Sequence, residues 1–450
     1  MGGPGVVVDG GVVVDRGLTV PLPDGTPLAA DVYRPAGDGT VPVLVSFYPY
    51  RKDDIIGSLF HGTRIRLAER GYATVFADMA GTGASGGDYG ESFDLAREGR
   101  DAARVIEWAA GQDWCDGTAG AWGVSYGGMT ALAAAAQHPG HLRAIIAVYA
   151  TTDIYRDTIA PGGCPAMLGR YAWAAHMLAL GLCPPTQPDE DGRWRRVWTE
   201  RLDRLTAGPS HAAVWQAHPD RDAYWQDRVV DAAAVDVPAM LVGGWADMFK
   251  TAMTSLYGAL AGPKRLVMGP WMHVLPHLSP VEPWDWVGEM ADWWDVHLRG
   301  KPAAGTAPVR FFAAGQGWRS APDWPAARGR AAAAVPGRDG AGHGAATGGW
   351  VPRLRRRRRG GRGCGHVGPV RHRERLAAGA ERRRCPQPDL HQRAAAGPGA
   401  DRGLPGGAAV ADPGGGPAGP AGCPAGRGRP GRPVHADHHR LGPAARGRHG

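Results

Sequence analysis

The chain has 450 residues, including 70 Gly, 39 Pro and 6 Cys, and its formal net charge is +8 at pH 7. This length is sufficient for two or three domains, each with its own core. The cysteines have neither the paired spacing of a disulfide framework nor that of a zinc site, and no run of about 18 apolar residues predicts a membrane span. Residues 1–17 lack the basic segment of a signal peptide. We therefore expect a cytoplasmic protein with reduced thiols, no metal and no membrane association.

The net charge is unevenly distributed along the chain. Residues 321–450 contain 24 Arg, no Lys and 8 Asp or Glu, which gives +16, whereas the remaining 27 basic and 35 acidic residues give residues 1–320 a charge of −8. No Ile, Phe, Tyr, Met, Lys or Ser follows Trp324. A segment of this composition buries too little apolar surface to offset its loss of conformational entropy. We therefore predict an acidic globular part followed by a disordered basic tail over residues 327–450.

Residues 1–320 alternate between strand and helix patterns. Amphipathic or alanine-rich patterns at 94–110 and 128–138 predict helices. Short runs rich in β-branched, aromatic and other apolar residues predict strands at 41–47, 72–78, 120–124, 144–149, 238–244 and 264–269. Strands that alternate with helices predict an α/β fold, in which a parallel sheet has helices on both faces.

The alternation is interrupted between residues 156 and 235. This segment is rich in Trp, and Trp194, Trp198, Leu202 and Leu205 recur at the spacing of one helix face, with arginines and acids on the opposite face. We predict a helical insertion between two strands, whose aromatic residues mainly serve core packing.

Two serines lie in a G-x-S-x-G sequence, Ser85 in GASGG and Ser125 in GVSYG. A nucleophile elbow requires a strand before the turn and a helix after it, because this geometry raises the hydroxyl above the edge of the sheet. Ser125 has a predicted strand before it and a predicted helix after it, whereas Ser85 lies well past its strand and is followed by GDYGE. We therefore predict that Ser125 is a nucleophile and that Ser85 is a loop residue.

A serine nucleophile needs a base, and the base needs an acid that orients it. Asp247 follows the strand predicted at 238–244 and His273 follows the strand at 264–269, so both should lie at the carboxyl edge of the sheet. His277, which lies four residues further on in a Pro-rich loop, is the main alternative base. Rivals in less suitable positions are Asp236, Asp285, Asp292, Asp295 and His297.

The oxyanion of a tetrahedral intermediate requires hydrogen-bond donors. In an elbow, one donor is the backbone N–H of the residue after the serine, which is Tyr126. The sequence FYPYRKDD (47–54) follows an earlier strand and offers a tyrosine hydroxyl as the second donor. The residue chemistry alone leaves Tyr48 and Tyr50 as equal alternatives.

Residues 18–320 resemble the cocaine esterase and Xaa-Pro dipeptidyl-peptidase family of α/β-hydrolases. The stretches that carry the resemblance are FYPYRKDD, FADMAGTGASGG, DWCDGTAGAWGVSYGG, TTDIYRD, GGWADMF, GPWMH and WWDVHLRG. The resemblance implies the same roles for Ser125, Asp247 and His273 as nucleophile, acid and base. It implies that Tyr50, and not Tyr48, is the side-chain donor to the oxyanion.

The resemblance also has implications for the substrate pocket and its limits. Phe249 and Trp271 fall at positions where aromatic residues line the pocket, and no cofactor is implied. The sequence departs from the family at Ala80, where the family's D-x-R-G element has Arg. The family also has a C-terminal β-sandwich, and residues 305–326 resemble only its beginning. We interpret 327–450, with its Arg, Gly, Pro and Ala, as a GC-rich gene read in another frame.

The sequence therefore predicts a serine hydrolase with an α/β-hydrolase fold. Its parts would be residues 1–155 and 236–304 of the hydrolase domain, a helical cap at 156–235, the remnant at 305–326 and the tail. The expected partner is a small ester, amide or short peptide; a homo-oligomer is an open alternative to a monomer. Release of Xaa-Pro dipeptides is one open subtype, for which the available carboxylates are Asp189, Glu190 and Asp191.

A competing hypothesis comes from the charge of the tail. The protein would then bind a polyanion through its arginines and retain an inactive hydrolase domain. The tail lacks the interleaved aromatic residues that stack on bases, so nucleic acid is the less favoured partner.

Overall fold

The computed structural model describes residues 6–8, 11–186, 192–303 and 305–326. They all belong to one of the two units of the chain, Met1–Gly344, whereas the other unit, Ala345–Gly450, lies outside the described residues. The predictions of a disordered tail at 327–450 and of amine-binding carboxylates at Asp189, Glu190 and Asp191 also fall outside them.

A single mixed sheet of eleven strands forms the centre of the described structure, in the order β1-β2-β3-β5-β4-β6-β7-β8-β9-β10-β11. The strands are β1 (Val6–Val8), β2 (Val12–Pro21), β3 (Pro27–Pro35), β4 (Val41–Tyr48), β5 (Ala73–Asp78), β6 (Cys115–Val124), β7 (Leu142–Val148), β8 (Ala239–Gly244), β9 (Lys264–Gly269), β10 (Val309–Ala313) and β11 (Gly317–Ala321). The sheet is parallel from β5 through β4, β6, β7, β8 and β9 to β10. Strands β1, β2 and β3 at one end and β11 at the other end pair antiparallel with their neighbours.

The parallel strands are apolar and buried on both faces, as helices on each side of a sheet require. The helices of the described residues are α1 (Ile55–Leu59), α2 (His61–Glu69), α3 (Leu95–Ala110), α4 (Tyr126–Ala135), α5 (Trp173–Leu182), α6 (Arg193–Ala207), α7 (His211–Ala217), α8 (Ala223–Gln226), α9 (Lys250–Ala259) and α10 (Trp286–Arg299). The predicted α/β class is confirmed. None of the helices described is both long and apolar enough to pass through a bilayer.

Helix α3 illustrates how local sequence sets an element. Asp94 caps its N-terminus by accepting a hydrogen bond from the backbone N–H of Arg97 at 3.1 Å. Its apolar residues recur every three or four positions and are buried, and the helix ends at Ala110, with Gly111 as its C-cap. The boundaries predicted from the sequence differ from the observed ones by a single residue.

The antiparallel strands β1 to β3 are an addition to the elements predicted from the sequence. Strand β2 carries polar and exposed residues in its middle, and its register with β3 shifts between Asp15 and Leu18. This irregular half-buried pattern lacks the continuous apolar run that identifies the parallel strands.

Helices α5 to α8 lie between β7 and β8, where the sequence predicts a helical insertion. The face of α6 that is buried differs from the one expected. Val197 and Arg201 are buried, whereas the residues of the predicted apolar face are only partly covered. Arg201 therefore lies inside the protein, although its charge placed it on the solvent face in the sequence prediction.

The strands at residues 309–321 correct the expectation of a β-sandwich remnant. Strand β10 pairs in parallel with β9, and β11 pairs antiparallel with β10, so both extend the central sheet. The edge of β9 has unpaired backbone groups that β10 satisfies, which explains why these strands join the sheet here.

Candidate active site

The turn between β6 and α4 carries Ser125 in a strained backbone conformation. Its φ is 60° and its ψ is −119°, a region that residues other than glycine rarely occupy. The backbone N–H of Ser125 donates to the carbonyl of Val148 at 2.8 Å, and its own carbonyl accepts from Gly128 at 3.0 Å. This sharp strand-to-helix turn has the form of a nucleophile elbow.

The glycines around Ser125 are required by close packing. A Cβ at Gly123 would lie 2.2 Å from the backbone carbon of Gly127, and a Cβ at Gly127 would lie 2.1 Å from the ring of Tyr48. A Cβ at Gly128 would lie 2.9 Å from the side chain of Ala150. The turn therefore has no room for a side chain at any of these three glycine positions.

Asp247 and His273 meet at the carboxyl edge of β8 and β9. The Nδ1 atom of His273 lies 2.5 Å from Oδ2 of Asp247, and the other carboxylate oxygen accepts from the backbone N–H of Phe249 at 2.7 Å. Asp247 is buried, whereas the His273 ring is about one-third exposed, at 35%. A buried carboxylate on Nδ1 fixes the ring so that Nε2 is left for a second partner.

Backbone hydrogen bonds join the loops that carry Asp247 and His273. The N–H of Trp245 donates to the carbonyl of Gly269 at 2.9 Å, and the N–H of Ala246 donates to the carbonyl of Trp271 at 3.0 Å. These bonds fix the separation of the two loops independently of the side chains.

Trp271 does not line the cavity that Ser125 and His273 share, contrary to the expectation from the resemblance. Its side chain is fully buried, it donates to the carbonyl of Glu282 at 2.8 Å, and its ring packs on Trp284 and Trp318. The apolar ring is thus used to pack the loop that carries His273.

A cavity of about 540 Å³ opens beside Ser125 and His273. Both residues are part of its wall, although the hydrogen bonds of the described residues do not include one between them. Such bonds are often long without a ligand and shorten when the substrate binds. Most of the wall is aromatic or aliphatic, including the predicted pocket residue Phe249, whose ring centre is 5.9 Å from that of His273.

Tyr48 and Tyr50, which residue chemistry leaves equivalent, have different surroundings. The hydroxyl of Tyr48 accepts from the backbone N–H of Val124 at 2.6 Å, and its ring is buried. The hydroxyl of Tyr50 accepts from the indole N–H of Trp173 at 3.0 Å. Burial raises the pKa of Tyr50 to about 12, against the opposing effects of the Trp173 indole and the Ser125 hydroxyl. Tyr50 therefore keeps its hydroxyl proton at neutral pH, and it lines the same cavity as Ser125.

A buried ion cluster anchors the segment that carries Tyr50. The Nζ atom of Lys52 lies 2.8 Å from Asp31 and 2.6 Å from Asp53. The backbone N–H of Lys52 donates to the carboxylate of Asp78 at 2.6 Å. Burial raises the pKa of Asp78 to about 6, although the charge of Lys52 opposes this shift.

Tyr126, the predicted backbone donor, is the first residue of α4. Its N–H is one of the four that a helix N-terminus leaves without an acceptor in the helix. Its hydroxyl donates to Oε1 of Glu98 at 2.8 Å and accepts from the backbone N–H of Phe93 at 2.7 Å. These bonds fix the position of the Tyr126 side chain behind the elbow.

Glu98 is a residue of this region that the sequence analysis missed. It lies on α3 and is buried, its Oε2 atom has no hydrogen-bond partner within the described residues, and burial raises its pKa to about 8. The sequence contained a signal, because Glu98 falls on the apolar face of α3 at helical spacing from Leu95, Ala102 and Val105.

The insertion also supplies wall residues that the sequence analysis missed. Trp173 and His176 of α5 line the cavity, as do Phe93 and Met248 from other segments. The Trp-rich composition of the insertion was the available signal, but composition alone does not separate wall residues from core residues.

The rival candidates have other surroundings. Ser85 is buried, donates to the carbonyl of Asp78 and accepts from the N–H of Ala29, each at 2.8 Å. Asp292 is exposed, and His277 is half-buried outside the cavity wall. The other rivals bind partners elsewhere: Asp236 with His138, Asp285 with the N–H of Gly288, Asp295 with Arg299, and His297 with the ring of Trp293.

Metal ligation finds no support in the ranges that the structure describes. Across residues 11–186, 192–303 and 305–326, no three His, Cys, Asp or Glu side chains are grouped as a metal ion would require.

Comparisons with known proteins agree with this architecture. A cocaine esterase from Rhodococcus sp. (strain MB1 Bresler) is 30% identical over 358 residues, which cover 71% of this chain and 61% of the relative. A solved CocE/NonD family hydrolase from Staphylococcus aureus superposes with a TM-score of 0.55 at 22% identity, over 70% of this chain and 57% of the other. An aminopeptidase from the marine sediment archaeon Thaumarchaeota archaeon gives a TM-score of 0.54 at 20% identity, over 69% and 59%.

The fold and the elbow define an α/β-hydrolase. The model of the X-Pro dipeptidyl-peptidase (S15) family matches residues 24–275, and the chain belongs to this family. The resemblance predicted from the sequence is confirmed. The chain spans about three-fifths of the length of the relatives it matches.

The raised pKa of Glu98 predicts a specific pH dependence of stability. The native state keeps a proton on Glu98 that the unfolded chain releases above its ordinary pKa of 4.5. The contribution of this group to the free energy of unfolding should therefore be full below pH 4.5 and fall until about pH 8, where the native carboxyl also ionises. Gln at this position cannot ionise. The free energy of unfolding of Glu98→Gln should therefore rise relative to that of the wild type as the pH increases from 4.5 to about 8.

Urea denaturation at a series of pH values measures this difference. Glu69→Gln, at the exposed end of α2, is the control and should follow the wild-type pH dependence. A Glu98→Gln protein whose stability relative to the wild type is the same at pH 5 and pH 8 would show that Glu98 is not buried in its neutral form.

Proposed function

We propose that this protein is a serine hydrolase that cleaves small neutral carboxylic esters through an acyl-enzyme. The observation that carries the proposal is the shared cavity of Ser125 and His273, with Asp247 bonded to the far side of the His273 ring. In this arrangement the strained turn presents the serine to the base, and the buried acid orients the base.

The proposed reaction has two stages. In the first, Nε2 of His273 takes the proton of the Ser125 hydroxyl while Oγ attacks the acyl carbon, and the protonated ring then gives this proton to the departing alkoxide. In the second, His273 takes a proton from water, the hydroxide attacks the acyl-enzyme, and the ring returns the proton to Ser125. Asp247 stabilises the charged ring in both stages.

Two donors would stabilise the oxyanion of each tetrahedral intermediate. These are the backbone N–H of Tyr126 and the hydroxyl of Tyr50, and both residues line the cavity together with Ser125. Tyr50 stays protonated at neutral pH because its pKa is about 12. The indole N–H of Trp173 donates to the Tyr50 oxygen and so directs the hydroxyl proton away from the indole.

The cavity wall supports a neutral acyl group of moderate size. Phe93, Tyr126 and Trp173 form a stacked aromatic group, with the rings of Phe93 and Tyr126 centred 4.7 Å apart. The residues of the described wall are aliphatic, aromatic, small or neutral polar, apart from the histidines at 176 and 273. An acyl group is best bound by such a wall when it is uncharged, because burying an unpaired charge is costly.

The competing polyanion-binding hypothesis rests on the arginines of residues 353–432. These lie outside the described residues, so the hydrolase proposal is the one with structural support.

Replacement of the nucleophile tests the mechanism. Ser125→Ala should lower the rate of p-nitrophenyl butyrate hydrolysis by at least about 10³-fold, because no oxygen remains to form the acyl-enzyme. It should also abolish the mass adduct that a fluorophosphonate probe forms with the full-length protein. Ser255→Ala, an exposed serine on α9, is the control and should keep both activities. An adduct that persists in Ser125→Ala would refute the assignment.

The choice between the two tyrosines is tested by removing one hydroxyl at a time. Tyr50→Phe should lower kcat by about 10²-fold with little change in KM, because the lost donor acts in the transition state. Tyr48→Phe should mainly lower stability, because it leaves the N–H of Val124 without an acceptor. A larger loss of kcat in Tyr48→Phe than in Tyr50→Phe would reverse the assignment.

The substrate class is tested with matched chromogenic compounds. We expect kcat/KM for p-nitrophenyl butyrate to exceed that for Ala-Pro-p-nitroanilide by at least about 10²-fold, since the latter carries a free ammonium group into an apolar wall. N-acetylation of the peptide substrate should reduce the gap. Faster cleavage of the free-amine anilide than of the ester would contradict the proposed class.

A further inference from the structure

A second cavity of about 360 Å³ lies behind the proposed active site. Its wall is formed by the loop after β5, helices α5 and α6, and the start of α7. Pro49 and Arg51 face this cavity, whereas Tyr50 between them faces the first cavity. In the same way, Met177 lines this cavity, whereas the neighbouring His176 lines the first one. The cavities are therefore separated by a wall one layer of chain thick.

The wall of the second cavity has a cationic part and an apolar part. Arg51, Arg201 and Arg204 supply the cations, and the apolar side chains include Met177, Leu205 and Val214. A ligand that satisfies both parts must combine a negative charge with a short hydrocarbon body.

Arg201 is the least compensated of the three arginines. It is 96% buried, with 4% of its surface exposed, and its Nη2 atom donates to the carbonyls of Gly83 at 2.8 Å and Ser85 at 3.3 Å. Its Nε and Nη1 atoms have no hydrogen-bond partner in the described part of the chain, and no described carboxylate lies within ion-pair distance. Burial lowers its pKa to about 10, which reflects the missing solvation.

The neighbouring charged groups already have partners. Arg51 lies 3.1 Å from the carboxylate of Asp54, and Arg204 donates to the carbonyl of Gly87 at 2.5 Å. Asp88 and Glu91 also contact the cavity; Asp88 accepts from the N–H of Gly90 at 2.9 Å, and Glu91 pairs with Arg228. Buried Asp78, which attracts Arg201, accepts backbone N–H groups of Lys52 and Ala84.

A buried guanidinium with unused donors is costly and requires a physical explanation, of which a bound ion or polar ligand is one. Other buried arginines of this protein have compensation of a different kind. Arg64 stacks on the rings of Tyr33 and Phe76, with its guanidinium carbon 4.8 Å and 4.4 Å from the ring centres, and Arg265 pairs with Glu289 at 2.9 Å. Among the described residues, Arg201 has no aromatic ring under its guanidinium and no carboxylate at ion-pair distance, although Asp78 attracts it from farther away.

We propose that the second cavity binds a small amphipathic carboxylate, whose charge pairs with Arg201 and whose hydrocarbon part packs against Met177, Leu205 and Val214. The guanidinium is charged and only partly hydrogen-bonded, and a carboxylate supplies the opposite charge that its immediate contacts lack. The volume of about 360 Å³ accommodates a chain of about six carbons. This proposal concerns binding and is independent of the proposed hydrolysis.

Binding of hexanoate to the full-length protein tests this proposal, by saturation-transfer NMR and calorimetry. Hexanoate should bind, and hexanamide and inorganic phosphate should each bind at least tenfold more weakly. Arg201→Gln should weaken hexanoate binding at least tenfold. Because Arg201 also holds the loop at Gly83, Leu205→Trp gives a second test by filling the cavity, and melting curves verify that each variant is folded.

Two control variants make the location specific. Arg195→Gln removes an exposed charge from the same helix and should change binding less than twofold. Ala172→Trp narrows the first cavity and should leave hexanoate binding intact. The proposal is overturned if hexanoate does not bind, if folded Arg201→Gln binds it like the wild type, or if Ala172→Trp abolishes binding. Equal binding of hexanamide or of phosphate would also overturn it, because the ligand would then need no charge or no hydrocarbon part.

Discussion

The packing of the turn between β6 and α4 is the constraint on which the rest of the site depends. Ser125 keeps a left-handed backbone conformation only because the surrounding structure imposes it. The ring of Tyr48 fills the space over Gly127, and its hydroxyl satisfies the N–H of Val124 just before the serine. Since every residue of α4 is buried, the helix cannot shift to relieve the turn. A side chain at Gly123, Gly127 or Gly128 would thus displace the serine as well as the helix.

The helical insertion connects the strained turn to ligand recognition. Its helix α5 brings Trp173 to the hydroxyl of Tyr50, so that the insertion and the loop after β4 are joined by a hydrogen bond at the proposed oxyanion site. Its helix α6 carries Arg201, which donates to the carbonyl of Gly83 in the loop after β5. The same insertion therefore contributes to both cavities, and the thin wall between them contains the 49–51 segment.

Buried ionisable groups surround the site without belonging to the proposed triad. Lys52 and its carboxylates hold the segment of Tyr50, and Glu98 supports Tyr126 from behind. Their environments differ: the carboxylates near Lys52 have a cation beside them, whereas Glu98 has no cation at ion-pair distance among the described residues. Burial therefore raises the pKa of Glu98 to about 8, whereas the charge of Lys52 opposes the effect of burial on Asp78, whose pKa rises only to about 6.

The sequence by itself determined the parallel strands, the elbow at Ser125 and the family, since these depend on local patterns: continuous apolar runs, glycines at set spacings and residues that follow strand ends. It also predicted the meeting of Asp247 and His273, because the carboxyl ends of neighbouring parallel strands share one edge. Only the tertiary structure separated Tyr48 from Tyr50 by their hydrogen bonds, moved Trp271 from the pocket wall into packing, and joined residues 309–321 to the central sheet. It also placed Arg201 inside the protein. These outcomes depend on contacts between segments far apart in the chain, and a helical or strand period does not specify which neighbour covers a given face.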